Sequence, residues 1–209
     1  MTETRRLPTP HGDAHLLIDR SKHPFATLVL GHGAGAGPQT PDLVQLAKTL
    51  SRQGVSVFRV EQPWRVAGLR VAAPAHVLDE SWIAVLDQLR PRTPLVVGGR
   101  SAGARVACRT ARHLGASGCL ALSFPLHAPG APERTRVGEL LAASVPTLVV
   151  QGERDPFGAP DLFPEGVDLT VVPGADHSFA VRKQDLLGRE EVLAVVVEAV
   201  LEWITREIA

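Results

Sequence analysis

A chain of 209 residues, 44% hydrophobic and 21% charged, is long enough to bury a sizeable core and reads as one globular domain over 1–209. Its 22 basic and 22 acidic residues cancel, which leaves no electrostatic case for nucleic acid or an anionic membrane as partner. Met1–Pro8 lacks the apolar core of a secretory signal and no apolar run reaches bilayer length, so a cytoplasmic protein is expected.

Residues 3–20 alternate loosely around turn signals between Pro8 and Asp13, which predicts two antiparallel edge strands. Phe25–Leu30 is an apolar run suited to a buried strand ending at Gly31. Thr40, Pro41 and Asp42 then offer a cap hydroxyl, a proline at the first position and an early carboxylate. The helix they open carries Leu43, Leu46, Ala47 and Leu50 on one face and closes at Gly54. Val55–Val60 is the next strand, and 61–78 reads as irregular. Asp79 is expected to cap a helix bearing Ile83, Leu86 and Leu89, which Pro91 ends. After a strand at Leu95–Val97, a helix is predicted from Ser101 to Leu114 with Gly115 as its stop. Cys119–Phe124 and Thr147–Val150 read as strands joined by a Pro-rich loop and a short helix. Val167–Val172 is a last strand and Glu190–Ile208 a long final helix. Strand and helix alternating in this way predict a mostly parallel central sheet with helices on both faces. Cys108 and Cys119 lie on a predicted helix and strand without metal-ligand spacing and read as buried reduced thiols. Neither a metal nor a cofactor is expected.

The chemistry concentrates in Gly99-Arg-Ser101-Ala-Gly103, a Gly-x-Ser-x-Gly sequence between an apolar strand and a helix. That order describes a sharp turn which lifts one hydroxyl above the sheet at a helix N-terminus, and the flanking glycines remove Cβ atoms that would clash with it. A serine needs a base to take its proton, and the base needs an acid to orient it. Asp155 follows the strand ending at Val150, and His177 follows the strand ending at Val172, in the order Ser…Asp…His. All three lie beyond strand C-termini, where open parallel sheets place their sites. Glu153 and Asp176 are alternative acids, although Asp176 abuts His177 and would struggle to reach its neighbour's ring.

An oxyanion hole needs two backbone donors. One is expected at Ala102, after the nucleophile; the other is expected in the loop Gly31-His-Gly-Ala-Gly-Ala-Gly37, at Ala34 first and Gly33 second. The same loop partly fits a dinucleotide fingerprint, Gly31-x-Gly33-x-x-Ala36 with Glu61 as a ribose-binding acid, but Pro38 and Pro41 delay the helix that should open there. Arg100 reads as a solvated or salt-bridged arginine or as a contact for an anionic substrate group. Trp64, Arg65 and Arg70 read as pocket border or as ordinary surface with one packed indole.

From residue 25 to the C-terminus the chain resembles the α/β-hydrolase superfamily. The resemblance rests on Gly31-His-Gly-Ala-Gly-Ala36, Phe58-Arg-Val-Glu-Gln-Pro63, Gly98-Gly-Arg-Ser-Ala-Gly-Ala-Arg105, Gly152-Glu-Arg-Asp-Pro-Phe-Gly158 and Gly174-Ala-Asp-His-Ser-Phe179. Phe124-Pro-Leu-His-Ala-Pro-Gly-Ala-Pro-Glu133 narrows it to the small dienelactone-hydrolase-like proteins of the testis-expressed-30 and NSL-complex subunit 3 type. That resemblance implies an α/β-hydrolase fold, with Ser101 as nucleophile, Asp155 as orienting acid and His177 as base. Dienelactone hydrolases carry cysteine as nucleophile, so lactone specificity is not implied. No long insertion follows Phe124, so a minimal fold without a separate cap domain is expected. The expected activity is cleavage of carboxylic esters or thioesters of small acyl substrates. The alternatives are a binding or scaffold protein that keeps the fold without turnover, and a serine peptidase.

Overall fold

Alternation with period two sorts the side chains of each inner strand between two cores, and this builds the molecule. In the computed structural model, which describes residues 2–128 and 130–209, the strands are β1 (Glu3–Thr9), β2 (Gly12–Asp19), β3 (Ala26–Gly31), β4 (Val55–Glu61), β5 (Leu95–Arg100), β6 (Gly118–Leu122), β7 (Thr147–Gly152) and β8 (Asp168–Val172). They form one sheet in the order β1-β2-β4-β3-β5-β6-β7-β8. From β4 onward all neighbours run parallel, while β1–β2 and β2–β4 are antiparallel. Only β1 of the first two is therefore an edge; β2 is paired on both sides, contrary to the expectation of two edge strands.

The helices are α1 (Pro41–Leu50), α2 (Pro63–Val66), α3 (Ala75–Asp87), α4 (Ala102–Thr110), α5 (Val137–Leu141) and α6 (Arg189–Glu207). Leu28, Leu30, Val96, Leu120 and Leu122 point to one face and pack with α1 and α6. Val29, Val97, Cys119 and Ala121 point to the other and pack with α3 and α4. Between β6 and β7 the only helix among the described residues is the one-turn α5, so no cap domain rises over the sheet. The sheet is that of the α/β-hydrolase fold. Met1 and Pro129, the latter inside the Phe124–Glu133 segment, lie outside the described residues.

Three local readings need correction. The Thr40 hydroxyl makes no cap bond and is buried without a partner; Pro41 and Asp42 open α1 without it. The 61–78 stretch contains α2, and α3 starts at Ala75 after Pro74, so Asp79 sits inside a helix rather than at its cap. Its carboxylate is held by Arg109 of α4, with Nη2 to Oδ1 at 2.6 Å and Nε to Oδ2 at 2.8 Å. The buried face of α3 is Leu78, Trp82, Val85 and Leu86; Ile83 is only partly buried. Cys108 and Cys119 are free and buried with sulfurs 3.7 Å apart, and the hydrogen bond between them, together with burial, pushes the Cys119 thiol well up.

The chain steps from β3 to β4 on one side, then crosses to β5 on the other. The loops after β3 and β5 thus part at a crevice at the C-terminal edge of the sheet. Glycines let these elements close up. A Cβ on Gly103 of α4 would lie 2.5 Å from the Gly31 carbonyl carbon and oxygen, and one on Gly99 would lie 2.5 Å from the same oxygen. Glycine to alanine in a helix ordinarily gains about 1 kcal/mol. Gly103→Ala is expected to reverse that sign and cost about 3 kcal/mol, because backbone rather than a pliant side chain must give way. A drop in urea midpoint at unchanged slope would show it.

Candidate active site

Ser101 occupies the single residue between β5 and α4, at φ 53 and ψ −112. A left-handed φ on a residue with a side chain stores about 1–3 kcal/mol of strain. The glycine contacts above hold the turn, and the Ser101 N–H donates to the Leu122 carbonyl at 2.9 Å. Across the crevice, His177 stands in the loop after β8 and Asp155 in the loop after β7. His177 Nδ1 lies 2.7 Å from Asp155 Oδ2, and His177 Nε2 lies 2.9 Å from Ser101 Oγ. A carboxylate can only accept, so Nδ1 carries the proton and Nε2 is left to accept from the serine hydroxyl.

Asp155 is fixed from three directions. Besides His177, Gln151 Nε2 donates to Oδ2 at 2.9 Å and the Phe157 N–H to Oδ1 at 2.8 Å. Its side chain is fully buried, whereas His177 keeps 17% of its own exposed. The Phe157 ring stacks on the imidazole with centroids 4.1 Å apart. The rival acids are engaged elsewhere: Glu153 accepts the Gly174 N–H, and Asp176 Oδ1 accepts the N–H groups of Ser178 and Ala180. Gln151 and Phe157 went unread in the sequence. A glutamine inside the apolar run 147–152 was the available signal, since a buried amide needs partners.

The loop after β3 lies beside the serine. A Cβ on Gly33 would sit 3.5 Å from the Ser101 Cβ. His32, only 3% exposed, holds the loop. Its Nδ1–H donates to the Gly33 carbonyl at 2.9 Å, and its Nε2 accepts the Gln62 N–H at 3.2 Å. A trans peptide points its C=O and N–H opposite ways, so fixing the Gly33 carbonyl turns the Ala34 N–H away from His32. The Ala102 N–H, first in α4, has no carbonyl one turn earlier in the helix. In place of the nucleotide-site reading, Glu61 is taken by His15 at 3.1 Å and the helix waits until Pro41. Trp64 is buried against His32 with centroids 5.5 Å apart, and Arg70 is exposed.

Burial pushes the His32 pKa below its ordinary 6.5, and both ring nitrogens are already committed in the neutral form. On acidification the unfolded chain takes this proton first. The contribution of His32 is therefore complete above about 6.5 and is lost as pH falls from there toward the depressed folded value, at up to about 1.4 kcal/mol per pH unit. Urea midpoints at about pH 7.5 and 5.5 are expected to differ more for the native chain than for His32→Gln.

Among the described residues no cluster of His, Cys, Asp or Glu is arranged to hold a metal ion. What the arrangement offers is a strained serine whose hydroxyl is hydrogen-bonded to an imidazole, a buried carboxylate on the imidazole's other nitrogen, and the first N–H of α4 next to the serine. A family model described as an alpha/beta hydrolase domain matches residues 24–205. The fold is similar to that of XC6422 from Xanthomonas campestris, an α/β serine hydrolase without lid (TM-score 0.74, 18% identity, covering 97% of this chain and 94% of that one). It is also similar to Est1E from Butyrivibrio proteoclasticus (TM-score 0.73, 17% identity, 97% and 99%). A third likeness is to the dienelactone hydrolase from Anabaena variabilis (TM-score 0.75, 16% identity, 100% and 99%).

Proposed function

The chain belongs to the alpha/beta hydrolase family, and on that premise we propose that it is a serine hydrolase cleaving carboxylic ester or thioester bonds of small substrates. The observation that carries the proposal is the unbroken hydrogen-bond chain from Ser101 Oγ through His177 to Asp155. Within the family we place it with the small dienelactone-hydrolase-like proteins of the testis-expressed-30 type, on the strength of the Phe124–Glu133 segment.

In this reading Ser101 Oγ attacks the acyl carbonyl as its proton moves to His177 Nε2. Asp155 keeps the tautomer and stabilises the imidazolium that results. The oxyanion faces the N–H of Ala102 and that of Ala34, with Gly33 as the second choice in the loop. Each such donor is worth a few kcal/mol in the transition state. Collapse breaks the bond to the leaving group, which takes the proton from Nε2. Water then loses a proton to the same nitrogen, attacks the acyl-enzyme and releases the acid, restoring the serine. With α5 the only helix among the described residues between β6 and β7, we take the crevice to be open, which favours small or extended acyl substrates over buried lipids. Among the described residues no helix is long and apolar enough to cross a membrane, and we place the protein in the cytoplasm.

Treatment with a fluorophosphonate tests the proposal by intact mass. One adduct per chain, mapped to Ser101 by peptide analysis, is expected, with turnover of a panel of short acyl esters and thioesters. A native protein that takes up no adduct and turns over no ester overturns it.

A further inference from the structure

Alternate residues of a strand leave the sheet on one face. Arg100 thus shares with Val96 the face of β5 that packs toward α1 and α6. It is buried, at 8% exposure, and a guanidinium in such a place must be paired. Its Nη2 donates to the His177 carbonyl at 2.9 Å and to Ser178 Oγ at 3.1 Å. Its Nε lies 3.6 Å from Oδ2 of Asp42, in the first turn of α1. Neither that carboxylate oxygen nor Arg100 Nε makes a hydrogen bond, so the two balance each other as an ion pair.

Resting on the serine hydrolase reading above, we propose that Arg100 is a positioning residue that fixes the base relative to the nucleophile, with Asp42 as its anchor. The loop bearing His177 has other ties, but these lead elsewhere. Asp176 ties the loop to itself through Ser178 and Ala180, and the Arg154 N–H on the Ala175 carbonyl ties it to the loop of Asp155. Those bonds set the acid–base pair. The Arg100 fork instead joins the base loop to β5, the strand that ends in Ser101. A displacement of about 1 Å at a reacting group can cost on the order of 100-fold in rate, and here the 2.9 Å contact between Nε2 and Oγ depends on how β5 and that loop are held together. Arg100 is buried and its donor goes to the backbone of the base loop, so its removal is expected to act on the chemical step more than on substrate binding.

The test is steady-state kinetics of Arg100→Met, Arg100→Lys and Asp42→Asn on a short acyl ester, with active sites counted by fluorophosphonate adduct. Arg100→Met is expected to lower kcat per titrated site by about 10- to 100-fold with KM within about twofold of native. Arg100→Lys, which keeps the charge and a donor, recovers part of the loss. A kcat per site within about twofold of native in Arg100→Met, whatever happens to its melting temperature, overturns the proposal. Should Arg100→Met not fold, Asp42→Asn decides by the same ratio: kcat per site below about a third of native supports the strut, and native kcat overturns it. A native protein without adduct or turnover would refute the hydrolase reading itself, before any variant is compared.

Discussion

Ser101→Ala is expected to lower kcat for a short acyl ester by about 10⁶-fold, and adding His177→Ala to cost almost nothing more. The non-additivity follows from the geometry. In the proposed mechanism the imidazole serves only to take and return the proton of one hydroxyl, to which it is hydrogen-bonded at 2.9 Å, so without that hydroxyl it has nothing to act on. What remains in either variant is the proposed oxyanion donors and substrate positioning, which alone are expected to keep a residual rate roughly 10³–10⁴ above water. Both variants keep the strained turn, because alanine at 101 must adopt the same left-handed φ as serine. Lost turnover therefore comes without a large change in melting temperature. Single-turnover measurement with a chromogenic ester on both variants checks this. Losses that multiply, or an alanine variant as active as the native chain, would remove Ser101 from the reaction.

Much of this arrangement can be read from the chain because it is local. The glycines around Ser101 exist to let Gly31, Gly99 and Gly103 touch, and glycine spacing survives in a sequence without any knowledge of the fold. The places of Asp155 and His177 just beyond strands are equally local. The start of α3 was not legible, since Pro74 rather than a side-chain cap precedes it and Asp79 looks like a cap while serving Arg109. The direction of Arg100 was not legible either. With Gly98 and Gly99 before it, the end of β5 carries no apolar alternation to say which face an arginine takes. His32 is followed by Gly33, which packs beside the serine, but the commitment of its Nε2 depends on Gln62, which arrives from the end of β4. Long-range partners of this kind decide tautomers and pKa values, and no periodicity encodes them.

Asp155→Asn carries the second large effect, a loss of about 10⁴-fold in kcat with KM little changed. The native carboxylate accepts from three donors: His177 and Gln151 at Oδ2, and the Phe157 N–H at Oδ1. An amide cannot accept at both ends. If its oxygen keeps Phe157, its NH₂ faces His177 and drives the proton to Nε2, where it blocks acceptance from Ser101. If its oxygen keeps His177 and Gln151, its NH₂ meets the Phe157 N–H, and the imidazolium has lost its counter-charge as well. Either way the barrier rises. Asp176→Asn and Glu153→Gln, by contrast, touch only loop backbone and are expected to stay within about tenfold of native, the range of a modest loop displacement. If Asp176→Asn proved as damaging as Asp155→Asn, the orienting role would have to be shared with a carboxylate that turns away from the imidazole, and the hydrogen-bond chain would no longer suffice to explain the base.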